Sequence, residues 1–194
     1  QWNATSSAWD LFSNTLYTYN SSNMMTTMIM QTWNGVSWTP VTQNAYTYFS
    51  SGKMQSDQLQ NWNVLTTTFD PASQKTYYYD PSGNLINETD NDFVLGTPVY
   101  TSQWVNTFSA GNQMLTSTLS TWSGTTWQPA TKTTNTYDTS GNTINKLFQT
   151  FNPVDSSWNN STYDIYSNFV TGTHLPQMDV LQHWDATSTG TWAN

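Results

Sequence analysis

Aromatic residues return along this chain on a fixed beat, with long polar stretches between them. Tyr19, Tyr48, Tyr79, Phe108, Tyr137 and Tyr166 are spaced 29, 31, 29, 29 and 29 residues apart. A second aromatic follows the first five of these by fourteen residues, at Trp33, Trp62, Phe93, Trp122 and Phe151. Self-similarity at a period of 20 to 50 residues is the signature of a repeat architecture. Apolar residues do not recur at helical spacing. The pattern predicts an all-β chain in which one supersecondary unit is copied about six times, at approximately 9–38, 38–69, 69–100, 100–127, 127–158 and 158–192.

One unit can be read in detail. Between Trp33 and Trp38 lies Asn34-Gly35, a strong hairpin signal, because a type I′ turn needs positive φ at both central residues. Trp38 to Tyr48 is rich in Thr, Val, Tyr and Trp, residues suited to a pleated strand. Phe49-Ser-Ser-Gly52 then turns the chain, and Lys53 to Trp62 runs back. Each repeat is one strand out and one strand back, giving about twelve strands in a wound or extended antiparallel sheet. Turns equivalent to the second are Asn20-Ser-Ser-Asn23, Asp80-Pro-Ser-Gly83, Ser109-Ala-Gly111 and Asp138-Thr-Ser-Gly141.

The aromatic-flanked turns form a series: Trp2–Trp9, Trp33–Trp38, Trp62–Phe69, Phe93–Tyr100, Trp122–Trp127, Phe151–Trp158 and Trp184–Trp192. Aromatics facing each other across a hairpin base contribute roughly 0.2–1 kcal/mol per pair. Pro40, Pro71 and Pro129 sit just inside the return strand, where a missing ladder donor is tolerated. Two residues before the second aromatic runs a polar column, Gln31, Gln60, Asn91, Ser120, Gln149 and Gln182, beside an apolar one of mostly Met, Leu and Phe. Stacked units bring equivalent residues together, so the column is expected to form a polar ladder. The last tetrad, Leu181-Gln-His-Trp184, falls four residues late, so the segment around Phe169 to Pro176 is an insertion. Alternation within strands is imperfect, which argues against an ordinary sandwich with one apolar interior.

Composition narrows the function classes. Only 8% of residues are charged, against roughly 25% in ordinary domains. Four Lys and no Arg face eleven Asp and one Glu, for a net charge of −8 and a pI near 4.1. Phosphate backbones and anionic membrane surfaces are read by Lys and Arg, so neither nucleic acid nor such a membrane is an expected partner. No apolar run approaches the roughly 18 residues of a membrane-spanning helix, and insertion into a membrane is not expected. With no Cys there is no disulfide framework or thiolate site. A polar, aromatic, weakly charged chain that begins at Gln1 instead of Met fits an extracellular or cell-surface protein that has lost a leader.

Tyr77-Tyr-Tyr-Asp80-Pro-Ser-Gly83-Asn84-Leu85 and Tyr137-Asp-Thr-Ser-Gly141-Asn142 resemble the Tyr-Asp repeats of Rhs-type secreted bacterial proteins. With the longer period and Trp33-Asn-Gly-Val-Ser-Trp38, the chain is similar to repetitive secreted or surface proteins of Bacteroidetes bacteria. The resemblance implies β-hairpin repeats, an extracellular setting and a structural or adhesive role. It carries no catalytic residues.

Candidate chemistry is sparse. No Gly-x-Ser-x-Gly elbow occurs, and His174 and His183 stand in no zinc-like spacing, so no catalytic residue, cofactor or metal is expected. Glu88, Asp90 and Asp92 would share one face of a strand, a weak Ca²⁺ candidate. Their spacing matches no calcium loop, and a solvated acidic stripe that discourages edge pairing explains them better. The Trp residues could stack on sugar rings, but their strict recurrence favours packing at hairpin bases. The threonines are too irregular for an ice-binding face.

Two function classes follow. The first is a non-enzymatic structural or adhesive repeat protein that assembles head to tail into a fibre or surface layer. Trp2–Trp9 and Trp184–Trp192 share one phase of the repeat, so the two ends of an open array offer matching edges. A piece of a longer array would show the same equal phase. The second class is a carbohydrate-binding module using exposed Trp and Tyr, with a glycan as partner.

Overall fold

The structure, a computed structural model, describes residues 2–3, 8–9, 12–185 and 191–193. These residues form strands and turns, with no helix among them. A short pair, β1 (Trp2–Asn3) and β2 (Ala8–Trp9), stands in a sheet of its own with Trp2 opposite Trp9. The second sheet begins with β3 (Ser13–Tyr19), β4 (Met25–Trp33), β5 (Trp38–Tyr48), β6 (Met54–Asn63), β7 (Thr68–Tyr79) and β8 (Leu85–Val94). It continues through β9 (Thr97–Phe108), β10 (Met114–Trp122), β11 (Trp127–Tyr137), β12 (Thr143–Asn152), β13 (Ser157–Ser167), β14 (Met178–Asp185) and β15 (Thr191–Ala193). These thirteen strands lie side by side in chain order, antiparallel, with β3 and β15 at the two ends. The expected hairpin repeats are present, in an open sheet instead of a closed barrel.

By contacts the chain falls into two compact units, Gln1–Tyr77 with Thr89–Thr101, and Tyr78–Glu88 with Ser102–Asn194. In the first, β4–β5 pairing runs from Trp33↔Trp38 through Gln31↔Pro40, then shifts so that Met30 faces Thr42 and Val41 is the extra residue. The β6–β7 pairing repeats this, with Gln60↔Pro71, Leu59↔Ser73 and Ala72 extra. In the second unit Ala130 and Ser161 are the extra residues, beside Ser120↔Pro129 and Gln149↔Asn160. Each is a β-bulge, one of the few places inside a sheet where proline is tolerated. A bulge also breaks the odd–even alternation of side chains, which is why the strands read imperfectly in sequence.

The turns at the other end of the repeats share one geometry. Asn20, Phe49, Asp80, Ser109 and Asp138 each donate their backbone N–H to the carbonyl four residues on. Each also accepts at its carbonyl from the N–H three residues on. The residue three positions on is left-handed: Asn23, Gly52, Gly83, Asn112 and Gly141, with φ between 59° and 88°. The fourth turn departs from the sequence expectation, because Asn112 and not Gly111 takes this conformation. Side chains cap these turns: Asn20 Oδ1 accepts from Ser22 N and Met24 N, and Asp138 Oδ1 from Ser140 N and Asn142 N. Ser109 Oγ accepts from Gly111 N and Gln113 N in the same way.

The aromatic-flanked turn at Trp33 is also different in kind from the expected type I′. Gly35 has φ +97°, while Asn34 is not left-handed. Glycine at the first central position is the requirement of type II′. Asn34 caps the turn instead, its Oδ1 accepting from Val36 N and Ser37 N at 2.9 and 2.8 Å. A type I′ pair does occur at Leu95-Gly96, with φ of 50° and 78°.

Among the described residues no apolar side chain is buried. The buried ones are Ser56, Asn91, Ser120 and Asn142. Ser56 shares a 2.6 Å hydroxyl bond with Thr47. Buried polar groups are stable only when paired, so hydrogen bonds occupy the places that apolar packing fills elsewhere. What holds such a sheet is the backbone ladder together with pairs across adjacent strands.

Candidate functional site

The hairpin-end aromatics meet as the sequence pairs them. Trp33–Trp38, Trp62–Phe69, Trp122–Trp127, Phe151–Trp158 and Trp184–Trp192 lie edge to face, with centroids 5.0–5.4 Å apart and planes at 64–71°. These side chains are half-buried. The preference follows from the ring quadrupole, which sets a positive edge on a negative face. Trp192 also stacks on Tyr163 at 5.3 Å, and Lys132 Nζ sits 4.6 Å above the Trp158 ring. The side chains of Trp2 and Trp9 lie outside the described residues, and Phe93 and Tyr100 stand on β8 and β9 at the ends of the hairpin turned by Leu95-Gly96. Rings locked edge to face present less flat area to a ligand than free rings do.

The polar column runs up the even-numbered strands from β4 to β14. Three of its members bond to the neighbouring odd strand. Gln31 Oε1 accepts from Asn14 Nδ2 at 3.4 Å, Gln60 Oε1 from Gln43 Nε2 at 2.8 Å, and Gln149 Nε2 donates to Asn160 Oδ1 at 2.9 Å. Gln60 Nε2 also donates to Gln58 Oε1. Asn91 and Ser120 are among the buried residues, and Gln182 is half-buried on β14.

No group of three or more His, Asp or Glu side chains among the described residues is placed to hold a metal ion. Of the acidic row, Asp90 Oδ2 receives Lys75 Nζ at 3.4 Å, a partly exposed ion pair, while Asp92 is exposed and Glu88 half-buried. His183 is an exposed strand residue opposite Thr162 and Ala193.

A concave feature of the second unit is built by the insertion. Between β13 and β14, Asn168 and Gly172 are left-handed, at φ 55° and 78°. Gln177 N donates to the carbonyls of Ser167 and Asn168, and Val170 N to Leu175 O, so the segment closes on itself as a strap. Its His174 Nδ1 lies 2.7 Å from Asn142 Oδ1, on the Asp138 turn. Asn142 Nδ2 donates to Asp138 Oδ2 at 2.7 Å, which fixes the amide orientation and makes His174 Nδ1 the donor. Strap, asparagine and turn are thereby one hydrogen-bonded chain.

Beneath the strap is a groove of about 500 Å³. Its floor is one face of the sheet: Thr133, Asn135 and Tyr137 alternate along β11, Ser117 faces Thr133, and Lys146 faces Asn135. Tyr166, Phe169 and Pro176 supply apolar wall. Tyr137 Oη and Asn135 Nδ2 both donate to Met114 O, at 2.7 and 3.0 Å, which holds the Tyr137 ring in place. Burial, then the nearby Asp164 and Asp179 carboxylates, push the Tyr166 phenol above its ordinary pKa, so it stays neutral and donates a hydrogen bond to Asp164 Oδ2 at 3.4 Å. Sequence reading marked the insertion and His174 within it, but not the groove. The available signal was the late tetrad; what the extra residues fold against is a contact across 32 positions.

No family model matches this chain, and no curated protein matches it. Among solved structures, a chain of a TcdB2–TccC3–Cdc42 complex is 12% identical, with a TM-score of 0.51, over 93% of this chain and 11% of that one. A protein of unknown function from Bacteroides fragilis is 11% identical, with a TM-score of 0.49, over 64% of this chain and 92% of that one. A DUF3836 family protein from Bacteroides vulgatus is 9% identical, with a TM-score of 0.31, over 87% and 97%. At such identities the first likeness bears on the fold alone, a run of antiparallel hairpins.

Proposed function

We propose that this chain is a non-enzymatic extracellular structural repeat protein, whose open sheet extends by edge pairing into a fibre or surface layer or spaces out an adhesin. The observation that carries the reading is the character of the sheet's ends. β3 is seven residues long, Ser13–Tyr19, without charge or proline, and Leu16, Tyr17 and Tyr19 on it are 44%, 52% and 59% exposed. At the other end β15 pairs with β14 only at His183–Asp185, while Met178 and Leu181 farther along β14 are 50% and 49% exposed. Soluble proteins blunt such edges with Lys, Pro or a covering element, because an unpaired strand is a template for the next one. A strand of odd number laid against β14 continues the same antiparallel alternation, whether it comes from the same polypeptide or from another copy. The extracellular setting is supported by the low charge together with the abundance of Thr, Asn, Trp and Tyr. The non-enzymatic reading is supported by what recurs, namely turn formers and packing pairs.

The test is sedimentation velocity of the chain over a hundredfold range of concentration, beside Leu16→Lys/Tyr17→Lys. The expected result is concentration-dependent growth in the native chain that the two edge lysines suppress. A monomer at every concentration refutes the proposal.

A further inference from the structure

We propose that the strap groove is a binding site for a neutral saccharide unit of one or two sugars. The inference is independent of edge assembly. Its volume, about 500 Å³, falls within the range of small-ligand sites. The lining combines two kinds of surface. Tyr137, Tyr166 and Phe169 offer ring faces, suited to the C–H face of a pyranose, and Tyr137 is pinned at its hydroxyl so that its ring is already in place. Preorganisation of this kind lowers the entropic cost of binding.

The second kind of surface is hydrogen-bonding capacity that the protein leaves unused. Ser117, Thr133 and Thr143 are half-buried in the groove, and among the described residues their hydroxyls have no hydrogen-bond partner. A hydroxyl both donates and accepts, so three of them match a ligand whose own groups are hydroxyls. The strand registry places them on a rigid floor instead of a loop, which fixes direction as well as distance.

Charge and topology discriminate against other occupants. Lys146 is the one residue with a fixed charge in the lining, and Asp164 stands opposite it across β12–β13. The carboxylate beside it offsets the one lining cation, so the groove offers no net charge to hold an anion and suits a neutral ligand. A peptide that binds through its extended main chain adds a strand at a sheet edge. The groove lies on a sheet face whose backbone groups are spent on the ladder, so an extended peptide finds no main-chain partners there.

The experiment is titration calorimetry of the full chain against glucose, galactose, mannose, N-acetylglucosamine, maltose and cellobiose. Glucuronate and a mixed hexapeptide library serve as the anionic and peptide arms. At least one neutral sugar is expected to bind at sub-millimolar to millimolar Kd. Thr133→Val, which keeps shape and removes the hydroxyl, should weaken it about five- to tenfold. Phe169→Ala should weaken it by more, and Trp33→Ala, outside the unit, should leave it unchanged. Should Phe169→Ala unfold the strap, Ser117→Ala reports on the same floor with little disturbance. Binding only of glucuronate, binding only of peptide, no neutral sugar bound by the folded chain, or neutral-sugar binding that Thr133→Val leaves intact would each overturn the proposal.

Discussion

Removing one ring from a hairpin-end pair tests the claim that these aromatics act in packing. Trp33 and Trp38 stand opposite each other, centroids 5.4 Å apart and planes at 65°, both half-buried. Truncating a fully buried Trp costs roughly 3–5 kcal/mol, and half-burial brings each single substitution to about 2 kcal/mol. The edge-to-face contact itself contributes about 0.5–1.5 kcal/mol beyond the area term. Trp33→Ala, Trp38→Ala and the double variant, unfolded in urea, form a cycle that isolates this coupling. The double variant should therefore lose less than the sum of the singles, by about 1 kcal/mol. Full additivity would show that the rings do not stabilise one another, and single losses below about 0.5 kcal/mol would show that they do not hold the hairpin.

Gly35→Ala should cost about 1–2 kcal/mol, because φ +97° is left-handed although no atom lies within 4 Å of the new methyl. Gly111→Ala should be near neutral or slightly stabilising, since the left-handed residue there is Asn112; equal losses at both glycines, read from urea midpoints, would contradict this assignment. Asp80 and Asp138 are held below the ordinary carboxylate pKa, first by the side-chain amide of Asn84 or Asn142 and then by backbone N–H groups. A depressed folded pKa contributes stability that is complete above the ordinary value, near 3.9, and is lost as pH falls through the folded one. Urea midpoints should fall below about pH 4, and Asp138→Asn, which keeps the cap as Asn20 does natively, should flatten that fall. With no apolar side chain buried among the described residues, calorimetry should give a ΔCp of unfolding below the roughly 12–15 cal/mol/K per residue of cored domains. A normal value would mean that apolar surface is covered in solution.

The beat alone made the hairpins and the aromatic pairs legible, because each repeat votes for the same answer. Misreadings arose where residue type was preferred over position. Counting 29 residues on from Gly83 gives Asn112, yet glycine's freedom drew the turn to Gly111. In Asn34-Gly35 the pair suggested two left-handed residues, whereas the asparagine serves as a side-chain cap. Three of the four bulge residues, Val41, Ala72 and Ala130, follow a proline, a signal that reads in sequence as a strand entrance. Ser161 has no such marker, and only the pairing reveals it. Nothing local to Phe169 to Pro176 encodes its docking partner, since Asn142 acquires that role only when β12 and the strap are folded.

Negative-stain imaging of the purified chain at high concentration tests the central claim most directly. The account predicts elongated particles of uniform width that lengthen with concentration and shorten again in Leu16→Lys/Tyr17→Lys. Separate particles of one size, unchanged by concentration and by the two lysines, would contradict it.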